Sequence, residues 1–576
     1  MTGTLRGMAD APPANRHPRW YQDLRWIMAG LMLVVVSTTL YGLFGPDAPI
    51  VVSPATTVIT EPLAADGLPD YAAHVLARAG RGTPPDDNAA VPLLMALWPL
   101  KFDEADLPAV CKELGIDVPS PPPDAFQADA LSRDTGIRAA IESILADRVP
   151  AEATSITPFD VIDAAGKHPW RAADLPALDA WLAAHAGRLD LLREASRRPR
   201  LYLPNPTLLR GNRDSVLSSG LHLGRPLRQA VTVLQLRAMG HLGHGRPTEA
   251  WRDILAMHRL ARLAAAADGG SVLSRLITVV FSGAACAATL QLLDAPGLPA
   301  EVAATISQDL EALPPFPPHA QMIALDRLGS AAFVIHVCTA PRGKRREHFE
   351  HVVEVMDDIF AATSLDGNVI LEDVNAAYAA LEQALRVPGW QDRERELVRL
   401  DAGRQAAVSA MGPAAKLTDT CRLLLNRGAR SGRIARRLNA VLCPWMASAD
   451  ATVTRYEALF ELTRVAAALA ACRAAAGAAT TYPERLDDLV PRYLDRLPTD
   501  PFSGGPFVYE RRGVGYLLYS IGQNGRDDGG TDYSTPIVAG EWAEESPHLG
   551  DAKTTDVVVR LPLSGSPILE RLRARP

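Results

Sequence analysis

The sequence contains no CxxC pair, no surplus of basic charge and few aromatic residues. Its six cysteines, Cys111, Cys286, Cys338, Cys421, Cys443 and Cys472, are scattered through mostly apolar, helical context. That pattern excludes a zinc-ribbon spacing and reads as buried thiols, with one or two disulfides admissible in an oxidising compartment. A formal net charge of −7 and a pI near 6.0 exclude nucleic acid as the main partner, because phosphate binding requires a concentrated cationic surface. No GxSxG elbow, no phosphate-cradling glycine loop with a lysine and no paired Cys and His signature is present. A triad assembled from distant residues is a spatial object that spacing does not reveal.

What is present is apolar and helix-forming. Hydrophobic residues make up 48% of 576 residues and aromatics 6%, with mean hydropathy +0.01. That length suffices for two or three domains with a sizeable core. Abundant Ala, Leu and Arg predict a mainly α fold with few strands.

The run Trp26 to Gly45 carries no charge over 20 residues. At about 1.5 Å per residue it is long enough to cross a hydrocarbon core of about 30 Å. Trp26 and Tyr41 lie near its ends, and Pro46 follows it. Arg6, Arg16, Arg19 and Arg25 precede the span, whereas Asp47, Glu61, Asp66 and Asp70 follow it before the first base, Arg78. The positive-inside rule therefore predicts a cytoplasmic arm over 1–25 and an extracytoplasmic remainder, with the lipid bilayer as partner of residues 26–45. The expected place is a bacterial inner membrane, crossed once, with the bulk of the chain periplasmic. A cleaved signal peptide is the alternative, disfavoured by the long apolar core and the lack of a suitable A-x-A site.

Residues 46–70 are rich in Pro, Ala and Thr without helical period and predict an extended linker. A second proline cluster near 118–126 separates early helices. Residues 71–445 predict a large irregular α-helical domain. In it Leu178, Trp181, Leu182, Leu189 and Leu192 form a core stripe, with Arg188 and Asp190 off it. A helical hairpin is predicted with one helix ending at Leu242, a turn at Gly243 to Gly245, and a second helix capped by Thr248. Its turn resembles that of a tetratricopeptide unit, but no 34-residue period recurs.

Two groups of residues raise the question of metal. Glu347, His351 and Glu354 share one helical face, yet they lack HExxH spacing and alternate with Lys344, Arg345 and Arg346 as a solvated face does. His222, His241 and His244 have no local carboxylate or cysteine and read as hydrogen-bonded turn or groove histidines.

From residue 446 to 545 the texture changes. A long Ala-rich helix is followed by short segments punctuated by proline. Phe507 to Arg511 and Tyr516 to Ile521, joined through Gly513 to Gly515, predict a β-hairpin. Asp500 before Pro501, and Ser503 to Pro506, fit the turns that lead into it. Tyr482 and the hairpin are expected to pack on the long helix. Residues 546–576 are expected as a tail.

Within this region the ordered set "TYP", "LDDLVPRYL", "LPTDPFSGGPFVY" and "YLLYSIG", followed by "GQNGRDDGG", resembles the globular head of type II secretion major pseudopilins. The resemblance covers about 80 residues and implies a small α+β module and a calcium site in the acidic glycine loop. Asn524, Asp527, Asp528 and Asp532, with backbone carbonyls exposed by Gly525, Gly529 and Gly530, supply oxygens of the type a hard cation takes. A glycine turn with solvated aspartates is the alternative. An EF-hand is excluded, since Arg526 and Thr535 would occupy its third and twelfth positions. Unlike that family, the apolar span has no glutamate and is separated from the module by hundreds of residues. The whole chain looks similar to uncharacterised single-span bacterial envelope proteins with segments like "DYAAHVLARA", "DDNAAVPLLMAL" and "EDVNAAYAAL".

Taken together, these features predict a membrane-anchored extracytoplasmic scaffold or interaction protein whose partners are envelope proteins. The head would be calcium-stabilised. An extracytoplasmic hydrolase with its site in the helical domain, or an accessory component of a type II secretion or pilus-like assembly, are the alternatives. No catalytic residue is nominated.

Overall fold

The computed structural model describes residues 19–98, 106–120, 135–148, 156–211, 214–217, 219, 222–267, 269–349, 363–409, 422–423, 425–442, 445–477, 481–531 and 556–573. The chain is mostly helical with one small sheet near its C-terminus.

Helix α1 (Arg19–Phe44) begins before the uncharged run. Its segment Leu24–Phe44 has a mean hydropathy of 2.0, and none of its apolar window is buried by the described residues. Trp26, Ile27 and Met32 are all more than half exposed. It is therefore an apolar helix long enough to cross a membrane, met by the described residues of the body at its last turn. Val272–Leu293 and His319–Thr339 are also long and apolar, but 61% of each is covered by the rest of the chain.

The segment predicted as an extended linker is docked instead. Asn368 holds it by accepting from Val51 N–H at 2.8 Å and donating to Pro49 O at 2.9 Å. Asn375 donates to Ala55 O and Thr56 O. Thr56 and Thr57 are buried. Side-chain amides here satisfy a backbone that has no strand or helix of its own, which spacing alone does not disclose.

The helical body is built around α2 (Ala186–Arg197), α3 (Gly224–Gly243), α4 (Pro247–Ala267), α5 (Val272–Leu293), α6 (Ala300–Glu311) and α7 (Ala324–Thr339). The short α8 (Arg342–Phe349) follows, then α9 (Gly367–Leu385), α10 (Trp390–Ser409), α11 (Arg427–Leu442) and α12 (Met446–Ala476). The α3–α4 hairpin forms as predicted, with Gly245 at φ +69° in its turn. The second helix starts at Pro247, ahead of the predicted cap Thr248, because proline's fixed φ suits a first helical position. The predicted stripe is core: Leu178, Leu182, Leu189 and Leu192 are buried. Arg188, expected off the stripe, is buried as well, because its guanidinium donates twice to Trp98 O at 3.0 Å.

Helix α12 runs through the centre, packed on α5, α6 and α10 and against the sheet. Its alanines Ala466, Ala467 and Ala468 are fully covered. Where α5 crosses it, a Cβ on Gly283 would lie 2.2 Å from Tyr456 Cε1, so only glycine permits that approach.

Strands β1 (Val508–Arg512) and β2 (Gly515–Ser520) form the predicted antiparallel hairpin, with Arg512 opposite Gly515 across the Gly513–Val514 turn. Strand β3 (Val557–Leu561) pairs antiparallel with β2, giving the order β1-β2-β3. It is followed by helix α13 (Pro567–Arg573). The region read as a tail thus completes the sheet, since the β-branched run Val557 to Val559 covers the open edge of β2. Tyr482 packs as expected: Arg473 of α12 stacks 4.8 Å from its ring and donates to its hydroxyl at 3.0 Å.

Candidate functional site

The acidic glycine loop leaves β2 and lies between the sheet and α10. Two aspartates outside the loop anchor its ends. Asp500 is buried, and its Oδ1 accepts from Phe502 N–H at 2.9 Å and from Ser520 Oγ at 2.7 Å. That ties the turn before β1 to the last residue of β2. Trp390 of α10 stands edge-on to Phe502 at 5.1 Å and donates to Gln523 O at 3.4 Å. Gln523 in turn donates to Glu394 Oε1 at 3.1 Å.

The predicted ligands meet each other. Asn524 Nδ2 donates to Asp528 Oδ2 at 2.9 Å, and Asn524 Oδ1 accepts from Arg526 N–H at 2.9 Å. Asp527 Oδ1 accepts from Tyr519 Oη at 2.7 Å and from Gly529 N–H at 2.9 Å. The Tyr519 hydroxyl, with the Gly529 N–H, holds the Asp527 carboxyl below its usual range. Asp532 lies outside the described residues.

Asp556, immediately before β3, is the residue that sequence reading missed. It is fully buried, and its Oδ2 accepts from Gly530 N–H at 2.9 Å. Burial pushes its pKa up to about 6, and the neighbouring Asp528 and Asp527 charges add to the rise. Gly530 is at φ +68°, and a Cβ there would lie 2.7 Å from Leu517 Cδ2, so the loop passes tightly over β2 at this point. The sequence signal, an aspartate opening a β-branched run, was available but sits far from the loop.

As a test of a hard cation, this arrangement fits in one respect. The Asp556 carboxylate is desolvated, is met only by the Gly530 and Asp528 N–H groups and lies beside two further carboxylates, which is an electrostatic setting a cation relieves. The side chains of Asn524, Asp527 and Asp528 are engaged with one another and with Tyr519. Among the described residues no three His, Cys, Asp or Glu side chains converge on one point.

The histidines are placed differently from one another. His222 is bonded through both ring nitrogens, to Leu203 O at 2.7 Å and to Ser219 O at 2.5 Å. His241 lies 3.6 Å from Asp253, a carboxylate that no local spacing indicated. Burial, with Arg246, Arg237 and Arg193 nearby, lowers its pKa to about 4 against the pull of Asp253. His244 caps the end of α3 by bonding Gly240 O at 2.6 Å. Glu347 is in α8, but its side chain, and all of His351 and Glu354, lie outside the described residues. Cys111, Cys286, Cys338 and Cys472 are free thiols; Cys421 and Cys443 lie outside the described residues.

A cleft of about 240 Å³ opens between the ends of α3 and α5 and the β3–α13 segment, lined in part by His168, Gln291, Asp294, Ser564 and Glu570. Its polar groups serve the fold. Asp294 accepts from Leu563 N–H at 2.9 Å, and Gln291 meets His168 at 3.4 Å. No family model matches the chain, nor does any curated protein or solved structure.

Proposed function

We propose that this chain is a membrane-anchored, extracytoplasmic scaffold or interaction protein whose C-terminal module is pseudopilin-like and is stabilised by a calcium ion. The observation that carries the anchoring is α1: a 21-residue segment of mean hydropathy 2.0, charged only at Arg25, that none of the described residues buries, joined to a body of packed helices. The charge balance around the apolar run supports an N-terminus in the cytoplasm of a bacterial cell and a body outside its inner membrane.

The calcium reading is supported by the desolvated Asp556 carboxylate beside Asp527 and Asp528. The ion would be held by Asp556 with loop oxygens, among them those of Asn524, Asp527, Asp528 and Asp532. Bound there it would tie the loop to the edge of β3, as a structural rather than a reacting group.

Protease added to spheroplasts tests the topology. Digestion of the chain beyond Gly45 is expected, and protection of the helical body would overturn the orientation. A membrane-impermeant crosslinker on the same spheroplasts should yield a discrete adduct with another envelope protein. Finding only monomer or self-adducts would count against the interaction role.

A further inference from the structure

The end of α1 is gripped by the body. Gly42 O accepts from Arg430 Nη2 at 2.5 Å, Leu43 O from Ser364 N–H at 2.7 Å and Phe44 O from Arg342 Nη1 at 3.0 Å. Arg342 also reaches Gly45 O, and Arg427 Nη1 reaches Pro46 O at 3.2 Å. The carbonyls of Gly42, Leu43 and Phe44 are among those a helix leaves unsatisfied at its C-terminus, where cations also meet the negative end of the macrodipole. The body surface therefore begins within about one turn of the apolar rod, next to the exposed Tyr41 and Phe44.

The segment that supplies two of these arginines is strongly basic. Residues 422–437 contain six arginines and no acid. Arg422 is exposed, and Leu425 beside it is 61% exposed. Acids near this segment are already engaged: Asp47 pairs with Arg345 at 2.5 Å, Asp366 caps α9 through Asn368 N–H at 3.1 Å, and Asp373 accepts from Asn439 at 3.1 Å. An outward-facing leucine flanked by arginines, at the point where an apolar helix leaves the bilayer, is the arrangement of an interfacial segment.

We infer that the face of the body around the exit of α1 seats on the bilayer, Leu425 entering the head-group region while Arg422 and Arg427 contact anionic phospholipid head groups. The inference rests on α1 spanning the membrane and adds the lipid class that the body recognises. Charge complementarity and continuity with α1 select this occupant. A protein partner with an acidic surface is the competing outcome.

The test uses the full chain in vesicles of phosphatidylcholine mixed with phosphatidylglycerol, compared with Arg422→Glu plus Leu425→Ser, both at exposed positions. Flotation with the vesicles reports insertion of α1, and native mass spectrometry of the released chain counts the lipids that remain bound. Both chains should float. The wild type should retain phosphatidylglycerol over phosphatidylcholine by about fivefold or more, the effect of one arginine near an anionic surface, and the variant should fall towards parity. Equal retention of the two lipids by the wild type would overturn the seat, as would an unchanged preference in the variant. A chain that fails to float would remove the anchoring itself, and the seat with it.

Discussion

Asp253 in the helical body and Asp556 in the C-terminal sheet are both shut away from solvent, yet their surroundings are opposite. Asp253 accepts from Arg193 at 2.5 Å and from Arg237 through both oxygens, at 2.6 and 2.9 Å. Those arginines also hold Glu249 and Asp190, so the charges of α2, α3 and α4 close on one another. Asp556 meets only backbone N–H groups, those of Gly530 and Asp528, with no cationic side chain beside it and two acidic neighbours. A buried charge matched within the chain acts as a joint between elements. One whose neighbours share its sign is stabilised by something supplied from outside.

The comparison breaks most sharply at the joint. Asp253→Ala takes the shared buried carboxylate from Arg237 and the partly buried Arg193 and should cost about 3 kcal/mol, read as a lower urea midpoint of the full chain in detergent. A loss below about 1 kcal/mol would show that the network is not a stabilising joint.

A second matched cluster extends the same contrast into pH. His319 bonds Asp450 through Nδ1 and Glu457 through Nε2 at 3.0 Å, while Arg393 holds the other Asp450 oxygen at 2.7 Å. Burial lowers the imidazole pKa, but the two carboxylates outweigh it and raise the pKa to about 9. Because the folded value lies above the unfolded one, this stabilisation is complete below about pH 6.5 and is lost as pH rises through about 9. His319→Gln should therefore cost on the order of 3 kcal/mol at pH 6 and much less at pH 10. A thermal-melting difference that stays constant over that range would contradict it.

The smallest effect has the reverse sign. The Asp556 pKa is raised from 3.8 to about 6, so its ionisation costs stability that is intact below the unfolded value and lost as pH rises through about 6. Without divalent cations, Asp556→Asn should stabilise the chain at pH 8 by about 2 kcal/mol. Calcium should stabilise the wild type and release heat on titration. It should do neither in Asp556→Asn, nor in Asp527→Ala with Asp528→Ala. Equal calcium stabilisation of wild type and Asp556→Asn would remove the cation from this loop.

These contrasts also mark what periodicity and spacing reveal. The apolar span, the α3–α4 hairpin, the long α12 and the β1–β2 hairpin were legible because each is encoded within one short stretch: an uncharged run, a glycine turn, an alanine-rich helix, an alternating pair around Gly513. The docking of residues 46–70 was not, since it depends on Asn368 and Asn375 more than 300 positions away. Arg188 was misplaced for the same reason, its acceptor being the carbonyl of Trp98. At the acidic loop the sequence singled out Asn524, Asp527 and Asp528, which the fold does bring together. It missed Asp556, which only the pairing of β3 with β2 carries to the loop.

The clamp of Arg342, Arg430 and Ser364 on the last carbonyls of α1, with Arg427 on Pro46 just beyond it, leaves little swivel between rod and body. A protein held by a loose leash sweeps a hemisphere of positions, and its partners find it at any height. Here the tilt of one helix in its membrane would fix the attitude of several hundred residues. Every binding face on the body would then be presented at a constant elevation, and a rocking of α1 would be passed to the body as a displacement rather than absorbed along the way.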